Sequence, residues 1–335
     1  MANLETSYMG IKLANPVIAG ASKLTGNIDV AKKIESAGAG AIVTPSLFEE
    51  QIRIEEDLLE DSILAIGGMH QTELSLPSGN TFTGPQQHIA WLGELRKNLS
   101  IPVIASLNAS TPQTWKEWAP RLADTGVDGL ELNFYSTPTK TEGSAATLED
   151  EQINIVQEIC RNCSIPVSVK ISPFYNNPLN VMKRLSEAGA KGIVVFNRFF
   201  QPDLDIETGK EIYNFDFSTP MENRLPLRFT ALAHGKISSD ICASTGIQSG
   251  EDALKLILAG ACCVQTVSAL YRQGIGTIGE MTSFMDSWMD QHGYSDIASI
   301  KGKMDKKNST DPHAFERAQY VRILLQSEKT PKDIL

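Results

Sequence analysis

One pattern recurs through this chain and limits the folds open to it. A helical stretch ends in Ala-Gly or Thr-Gly, and a short run of β-formers follows. Ala37-Gly38-Ala39-Gly40 precedes Ala41-Ile42-Val43, and Thr125-Gly126-Val127-Asp128 precedes Gly129-Leu130-Glu131-Leu132. Ala188-Gly189-Ala190-Lys191 precedes Gly192-Ile193-Val194-Val195, and Ala259-Gly260-Ala261-Cys262 precedes Cys263-Val264-Gln265. Glycine takes the left-handed conformation past a helix C-terminus at no steric cost, and the apolar run beyond it suits a strand buried on both faces. A second echo sets Ser100-Ile101-Pro102-Val103 against Ser164-Ile165-Pro166-Val167. There, proline stops a helix and opens the next strand.

Strands that alternate with helices imply a parallel sheet. The strands expected are Pro16–Ala21, Ala41–Thr44, Val103–Asn108, Leu130–Asn133, Val167–Ile171, Ile193–Phe196, Ile241–Ser244 and Cys263–Thr266. Helices are expected near Asp29–Ala37, Gln86–Asn98, Gln113–Asp124, Leu148–Cys163, Leu179–Ala188, Phe229–Ile237 and Glu251–Leu258. Eight such units in 335 residues predict an α/β fold, a single-domain (β/α)8 TIM barrel over 1–335. An open doubly wound sheet is the alternative. Two stretches, about 48–85 and 201–226, exceed the repeat. Both follow strands, on the face where barrel enzymes grow loops over their sites, and are expected to cover the mouth. C-terminal helices are expected over about 278–325, where Met281, Phe284, Met285, Trp288 and Met289 recur at core-packing spacing.

Composition removes several classes of function. The net charge of −10 argues against a nucleic-acid partner, which needs a basic face. No apolar run approaches the roughly 20 residues that span a bilayer, and Met1 to Lys12 lacks the pattern of a signal peptide. A cytoplasmic protein with no membrane partner is expected. The five cysteines are odd in number and read as reduced thiols. Cys160 and Cys163 form a CxxC without a second pair, and no HExxH is present, so no metal is expected. No GxGxxG marks a nicotinamide site.

Barrel enzymes carry their chemistry at strand C-termini. Here those ends hold Asn108, Asn133 with Ser136, Lys170, Asn197, Thr245-Gly246 and Val267-Ser268. Asparagine offers both a donor and an acceptor, so several together suit a planar ligand with amide or carboxylate groups. A lysine in a buried strand is costly without a partner, which leaves three readings of Lys170: a flavin-side cation, a Schiff-base amine, or a salt-bridged barrel residue. The stretch Thr245-Gly246-Ile247-Gln248-Ser249-Gly250 opens one helix and Ser268 opens another, so free N–H groups there suit a phosphate. Simple capping by Ser249 and Ser268 is the alternative.

Taken in order, these motifs resemble the dihydroorotate dehydrogenase family, from Gly10-Ile11-Lys12-Leu13-Ala14-Asn15-Pro16-Val17 to Trp288-Met289-Asp290-Gln291-His292-Gly293-Tyr294. Glu131-Leu132-Asn133 with Ser136 is similar to the family's ELNxSCPN loop, Val169-Lys170 to its flavin-lysine strand, and Arg228-Phe229-Thr230-Ala231-Leu232-Ala233 to its KPTALA segment. Thr245-Gly246-Ile247, and Ala259-Gly260-Ala261 through Ser268-Ala269-Leu270, resemble its phosphate-binding end. The resemblance implies FMN as cofactor, held by Ala21, Ser22, Asn108, Asn133, Lys170, Thr245, Gly246, Val267 and Ser268. It implies a small-molecule substrate bound by Asn133 and Asn197, with Ser136 and Lys170 catalytic. The implied reaction oxidises dihydroorotate to orotate in pyrimidine biosynthesis. A homodimer is also implied, with the electron acceptor open. Ser136 stands where cytosolic members have a cysteine base; membrane-linked members use serine and carry an N-terminal extension not seen here. Pro45 replaces a lysine, Thr137-Pro138 replaces Pro-Asn, Thr245-Gly246 replaces a glycine pair, and Val267-Ser268 replaces Gly-Thr. Asn80 is a candidate for the first-loop substrate asparagine. These departures leave room for a related cyclic amide or pyrimidine, for a Schiff-base lyase or aldolase, or for a non-catalytic flavin-binding barrel.

Overall fold

The computed structural model describes residues 2–54, 84–135, 137, 139, 141–213, 215–316 and 318–325. Twelve strands are described. These are β1 (Thr6–Tyr8), β2 (Ile11–Leu13), β3 (Val17–Ala19), β4 (Ala41–Phe48), β5 (Val103–Asn108), β6 (Gly129–Asn133), β7 (Val167–Ile171), β8 (Gly192–Val195), β9 (Asp203–Asp205), β10 (Lys210–Ile212), β11 (Asp240–Ser244) and β12 (Cys263–Thr266). Eight of them, β3 to β8 with β11 and β12, close into a parallel barrel in which β12 returns to pair with β3. Helices alternate with these strands, so the fold is the expected TIM barrel and the open sheet is ruled out.

β4 runs past the expected stop at Thr44 to Phe48, straight through Pro45. Its register against β5 shifts between Val43 and Ser46, and a bulge is where a strand tolerates the missing N–H of proline. The helix expected from Phe229 begins at Arg224 instead. Pro226 sits in its first turn, where no N–H partner is needed. Residues 49–54 are helical, and most of the first insertion, with Asn80, lies outside the described residues. The second insertion contains the antiparallel pair β9 and β10 and then a 3₁₀ turn at Pro220–Asn223.

The β1–β2 hairpin turns through Met9 (φ 57°) and Gly10 (φ 81°), two positive values in succession that give the twist a tight hairpin requires. It carries Tyr8, fully buried, against the barrel floor. A Cβ on Gly192 would come within 2.5 Å of the Tyr8 hydroxyl, so only glycine lets this ring in. Tyr8 packs with Met9, Leu13, Ile18, Val43, Ile104, Val194, Cys242 and Cys263, which fill the barrel interior. A larger cluster seals strands to helices, and it includes Trp115, Leu122, Val156, Leu185, Ile257 and Met285. The cysteines are free, and burial pushes the Cys160 thiol up to about 11, far from a reactive thiolate. With its floor plugged and its wall sealed, the barrel is open to chemistry at the strand C-termini.

Candidate active site

The loops after the strands bring the predicted polar groups to one mouth. Asn108 ends β5 and Asn133 ends β6. The Asn108 Nδ2 donates to the Asn133 carbonyl at 2.7 Å. The Asn197 Nδ2, just past β8, donates to the Asn133 Oδ1. The Asn133 Nδ2 in turn donates to the Ser46 Oγ at 3.3 Å, and Ser46 pairs with the Ser106 hydroxyl at 2.7 Å. The three asparagines therefore form one connected set. Its two serine supports went unnoticed in the sequence, because Ser46 faces inward only through the bulge at Pro45. Sequence inspection could have found Ser106, since alternation along β5 puts it on the same face as Asn108.

Lys170 is held in the barrel wall, 8% exposed. Its Nζ donates to the Gln265 Oε1 at 3.0 Å, the Gln265 Nε2 donates to the Glu131 Oε2, and the Glu131 Oε1 stands 3.9 Å from the Nζ. Glu131 and Gln265 are each 1% exposed. A buried cation is tolerated when a carboxylate and hydrogen bonds offset its desolvation, and this triangle supplies both. The salt-bridged reading of Lys170 is thus correct as structure, and it leaves the ammonium at the rim of the mouth cavity.

At the other end, Thr245 and Gly246 follow β11, and Val267 and Ser268 follow β12. Gly246 has φ +75°, and a Cβ there would meet the Asn223 nitrogen at 2.3 Å. Thr245 keeps φ +83° although it is β-branched, a costly conformation; its hydroxyl donates to the Phe196 carbonyl at 3.0 Å. Ser249 caps its helix through the Asp252 N–H, as the capping alternative had it. Ser268 instead accepts from the Ser218 N–H at 3.0 Å and the Ser218 hydroxyl at 2.9 Å. The Ser218 Oγ also accepts from the Gly246 N–H at 3.2 Å. Ser218, from the second insertion, thus holds the groups that a phosphate oxygen would use. Ala21 lines the same cavity, which is about 120 Å³. Ser22 carries a buried hydroxyl without a hydrogen-bond partner.

The donor set fits FMN: an N–H and a hydroxyl for a phosphate, and an ammonium with three carboxamides for a polar ring. A phosphate oxygen there would share the Gly246 N–H and the Ser268 hydroxyl with Ser218.

Two further features hold the mouth in shape. Tyr135 packs against Phe199 with ring centroids 4.4 Å apart and planes tilted by 44°, and its hydroxyl accepts from the Phe200 N–H at 3.1 Å, which clasps the loop after β6 to the loop after β8. Glu49 is buried and accepts from the N–H and hydroxyl of both Ser110 and Thr111 at 2.6 to 3.0 Å. Burial raises its pKa, but these bonds overcome that and hold the carboxyl at about 2. Glu49 thereby anchors the chain just beyond Asn108. Ser136, Pro138 and Lys140 lie outside the described residues. No group of three or more His, Cys, Asp or Glu suited to a metal occurs among the described residues, and no helix there is long and apolar enough to cross a membrane.

Comparison with known proteins agrees with this geometry. The family model for dihydroorotate dehydrogenase matches residues 83–289. A protein of Thermoplasma volcanium named dihydroorotate dehydrogenase B (NAD(+)), catalytic subunit, is 26% identical over 314 residues, covering 92% of this chain and 100% of the relative. Its namesake in Thermoplasma acidophilum is 27% identical over 310 residues, covering 90% and 99%. That of Pyrococcus abyssi is 25% identical over 307 residues, covering 89% and 98%. The match takes in β5 to β12 and the mouth residues from Ser106 to Ser268, and on it the chain belongs to the dihydroorotate dehydrogenase family.

Proposed function

We propose that this chain is an FMN-dependent oxidoreductase that removes two hydrogens from a CH–CH bond, with dihydroorotate as the default substrate. The observation that carries the reading is the placement of Lys170 and the linked amides of Asn108, Asn133 and Asn197 at one barrel mouth in a member of this family. FMN, when bound, supplies the acceptor for a hydride. Asn133 and Asn197 orient the substrate through amide donors and acceptors. Ser136 takes a proton from one carbon while a hydride leaves its neighbour, and the electron pair of the broken C–H bond forms the new C=C bond. Serine acts as a base only if water or a partner group accepts its proton in turn. Lys170, held by Gln265 and Glu131, sets a positive charge where negative charge accumulates on the ring. Gly246 and Ser268, with Thr245 and Val267 beside them, would hold the phosphate, and Ala21, Ser22 and Asn108 would hold the rest of the cofactor.

A second reading, oxidation of a related cyclic amide or pyrimidine, is favoured by Pro45, Thr137 and Pro138, which remove a lysine and an asparagine from the substrate side. A Schiff-base reaction is disfavoured because the Lys170 Nζ is already engaged by Gln265. The names of the relatives support a second chain that passes electrons to NAD, and we assign this chain the catalytic role in a cytoplasmic homodimer. Orotate formation by the purified protein with fumarate or NAD as acceptor tests the function. A flavoprotein that forms no orotate moves the substrate to the second reading, and a colourless protein trapped by borohydride on Lys170 refutes the flavin.

A further inference from the structure

Two polar atoms inside the barrel lack a hydrogen-bond partner, and they are opposite in kind. The Tyr8 hydroxyl can donate and sits on a residue that is 0% exposed, while the Glu131 Oε1 can only accept and sits on a residue that is 1% exposed. A buried polar group left alone costs free energy, so a donor and an acceptor stranded in one small space call for a common explanation.

The sheet register places them close together. The Tyr8 hydroxyl occupies the space of a missing side chain, since a Cβ on Gly192 would come within 2.5 Å of it. Gly192 pairs with Ser168 on β7, and Ser168 pairs with Glu131 on β6. Neighbouring strands lie about 4.8 Å apart, so hydroxyl and carboxylate stand within two strand spacings, and the reach of a glutamate side chain shortens that gap. Glu131 is flanked in register by the hydroxyls of Ser106 on β5 and Ser168 on β7. Both are engaged elsewhere: Ser106 pairs with Ser46 at 2.7 Å, and Ser168 donates to the Leu130 carbonyl at 3.3 Å. The Tyr8 O–H is the donor left for the unpartnered oxygen. Burial first, then the neighbouring Cys242 and Cys263 and the charge of Glu131, raise the Tyr8 pKa well above its ordinary value, so the hydroxyl keeps its proton.

We propose that Tyr8 is a positioning residue for Lys170, acting through Glu131 and Gln265. The positive end of its O–H dipole points toward the Glu131 carboxylate. The Glu131 Oε2 accepts from the Gln265 Nε2, and the Gln265 Oε1 accepts from the Lys170 Nζ at 3.0 Å. One line of polar groups thus runs through the barrel from the floor hairpin to the mouth. In a dry interior a dipole acts on a charge with little screening. Here it offsets part of the negative charge of Glu131, and the mouth keeps more of the positive charge of Lys170. The role at the mouth rests on the proposed function; the contact between Tyr8 and Glu131 does not.

Urea unfolding of the wild type, Tyr8→Phe, Glu131→Gln and the double variant tests the contact without need of flavin. Phenylalanine keeps the ring and removes only the hydroxyl. Loss of an idle buried hydroxyl would leave stability equal or higher. The expected result is a rise of about tenfold in the unfolding equilibrium constant, falling to about threefold or less when Glu131 is already glutamine. The flavin midpoint potential tests the role. FMN-loaded Tyr8→Phe is expected to have a lower potential than the wild type, and the double variant to match Glu131→Gln alone. A Tyr8→Phe protein as stable as the wild type, or a loss of equal size in both backgrounds, overturns the contact. An unchanged potential in a yellow protein overturns the positioning role. A protein that takes up no FMN but shows the stability coupling refutes the flavin reading, and the role at the mouth with it, while the contact stands.

Discussion

Replacing Lys170 by methionine separates its structural role from its chemical one. Glu131 and Gln265 are almost wholly buried beside it, and the Glu131 Oε1 has no hydrogen-bond partner, only the ammonium 3.9 Å away. Lys170→Met leaves a carboxylate in the barrel with one remaining hydrogen bond, from Gln265. Breaking a buried pair by removing one partner costs about 3–5 kcal/mol, far more than the pair contributes against an apolar substitute. Adding Glu131→Gln neutralises the stranded charge and keeps a carbonyl to accept from Gln265, so most of that loss should return. Urea unfolding of the wild type, both singles and the double variant gives the coupling energy directly. A loss under about 1 kcal/mol for Lys170→Met, or no recovery in the double variant, would show that the charge of Glu131 is not balanced by Lys170. Flavin reduction by substrate is then measured on the restored double variant. Continued failure to reduce flavin assigns Lys170 to the chemistry, and recovery assigns it to the barrel wall alone.

Other outcomes follow from the same geometry. Glu49→Gln should destabilise the protein by up to about 3 kcal/mol near neutral pH, since the carboxyl sits at about 2 against an ordinary 4.5; that stability is present above about pH 4.5 and is lost as pH falls toward 2, which acid titration of the unfolding midpoint reads. Burial lowers His88 to about 4 with no partner on its Nε2, so stability should fall as pH drops from about 6.5 to 4, and His88→Phe should flatten that slope in the same titration. Thr245→Gly relieves a β-branched residue at φ +83° and should leave stability equal or higher by up to about 1 kcal/mol despite the lost bond to Phe196, as denaturant unfolding shows. Ser136→Ala should cut turnover by about 10² or more while the protein keeps its flavin, and unchanged turnover removes Ser136 as the base.

The barrel was legible because its signals are local. Each Gly at a helix end and each β-branched run carries its meaning within a few residues, and all eight expected strands are found in the closed sheet. Boundaries were lost where tertiary context overrode a local rule. The strand expected to end at Thr44 continues through Pro45 by way of a bulge, and the helix expected near Phe229 begins at Arg224 with Pro226 in its first turn. The mouth asparagines and Lys170 could be picked out because they end or interrupt apolar strands. Their partners could not be assigned so easily. Glu131 and Gln265 are 134 residues apart and meet only when the barrel closes, and Ser218 reaches Gly246 and Ser268 only because the second insertion folds back over the mouth.

The most direct measurement is the visible spectrum of the purified protein before and after anaerobic addition of dihydroorotate. A yellow protein with a flavin spectrum, bleached by dihydroorotate and reoxidised by an acceptor, is the predicted result. A colourless protein that FMN cannot reconstitute would contradict the reading of Lys170, Gly246 and Ser268 as a flavin site.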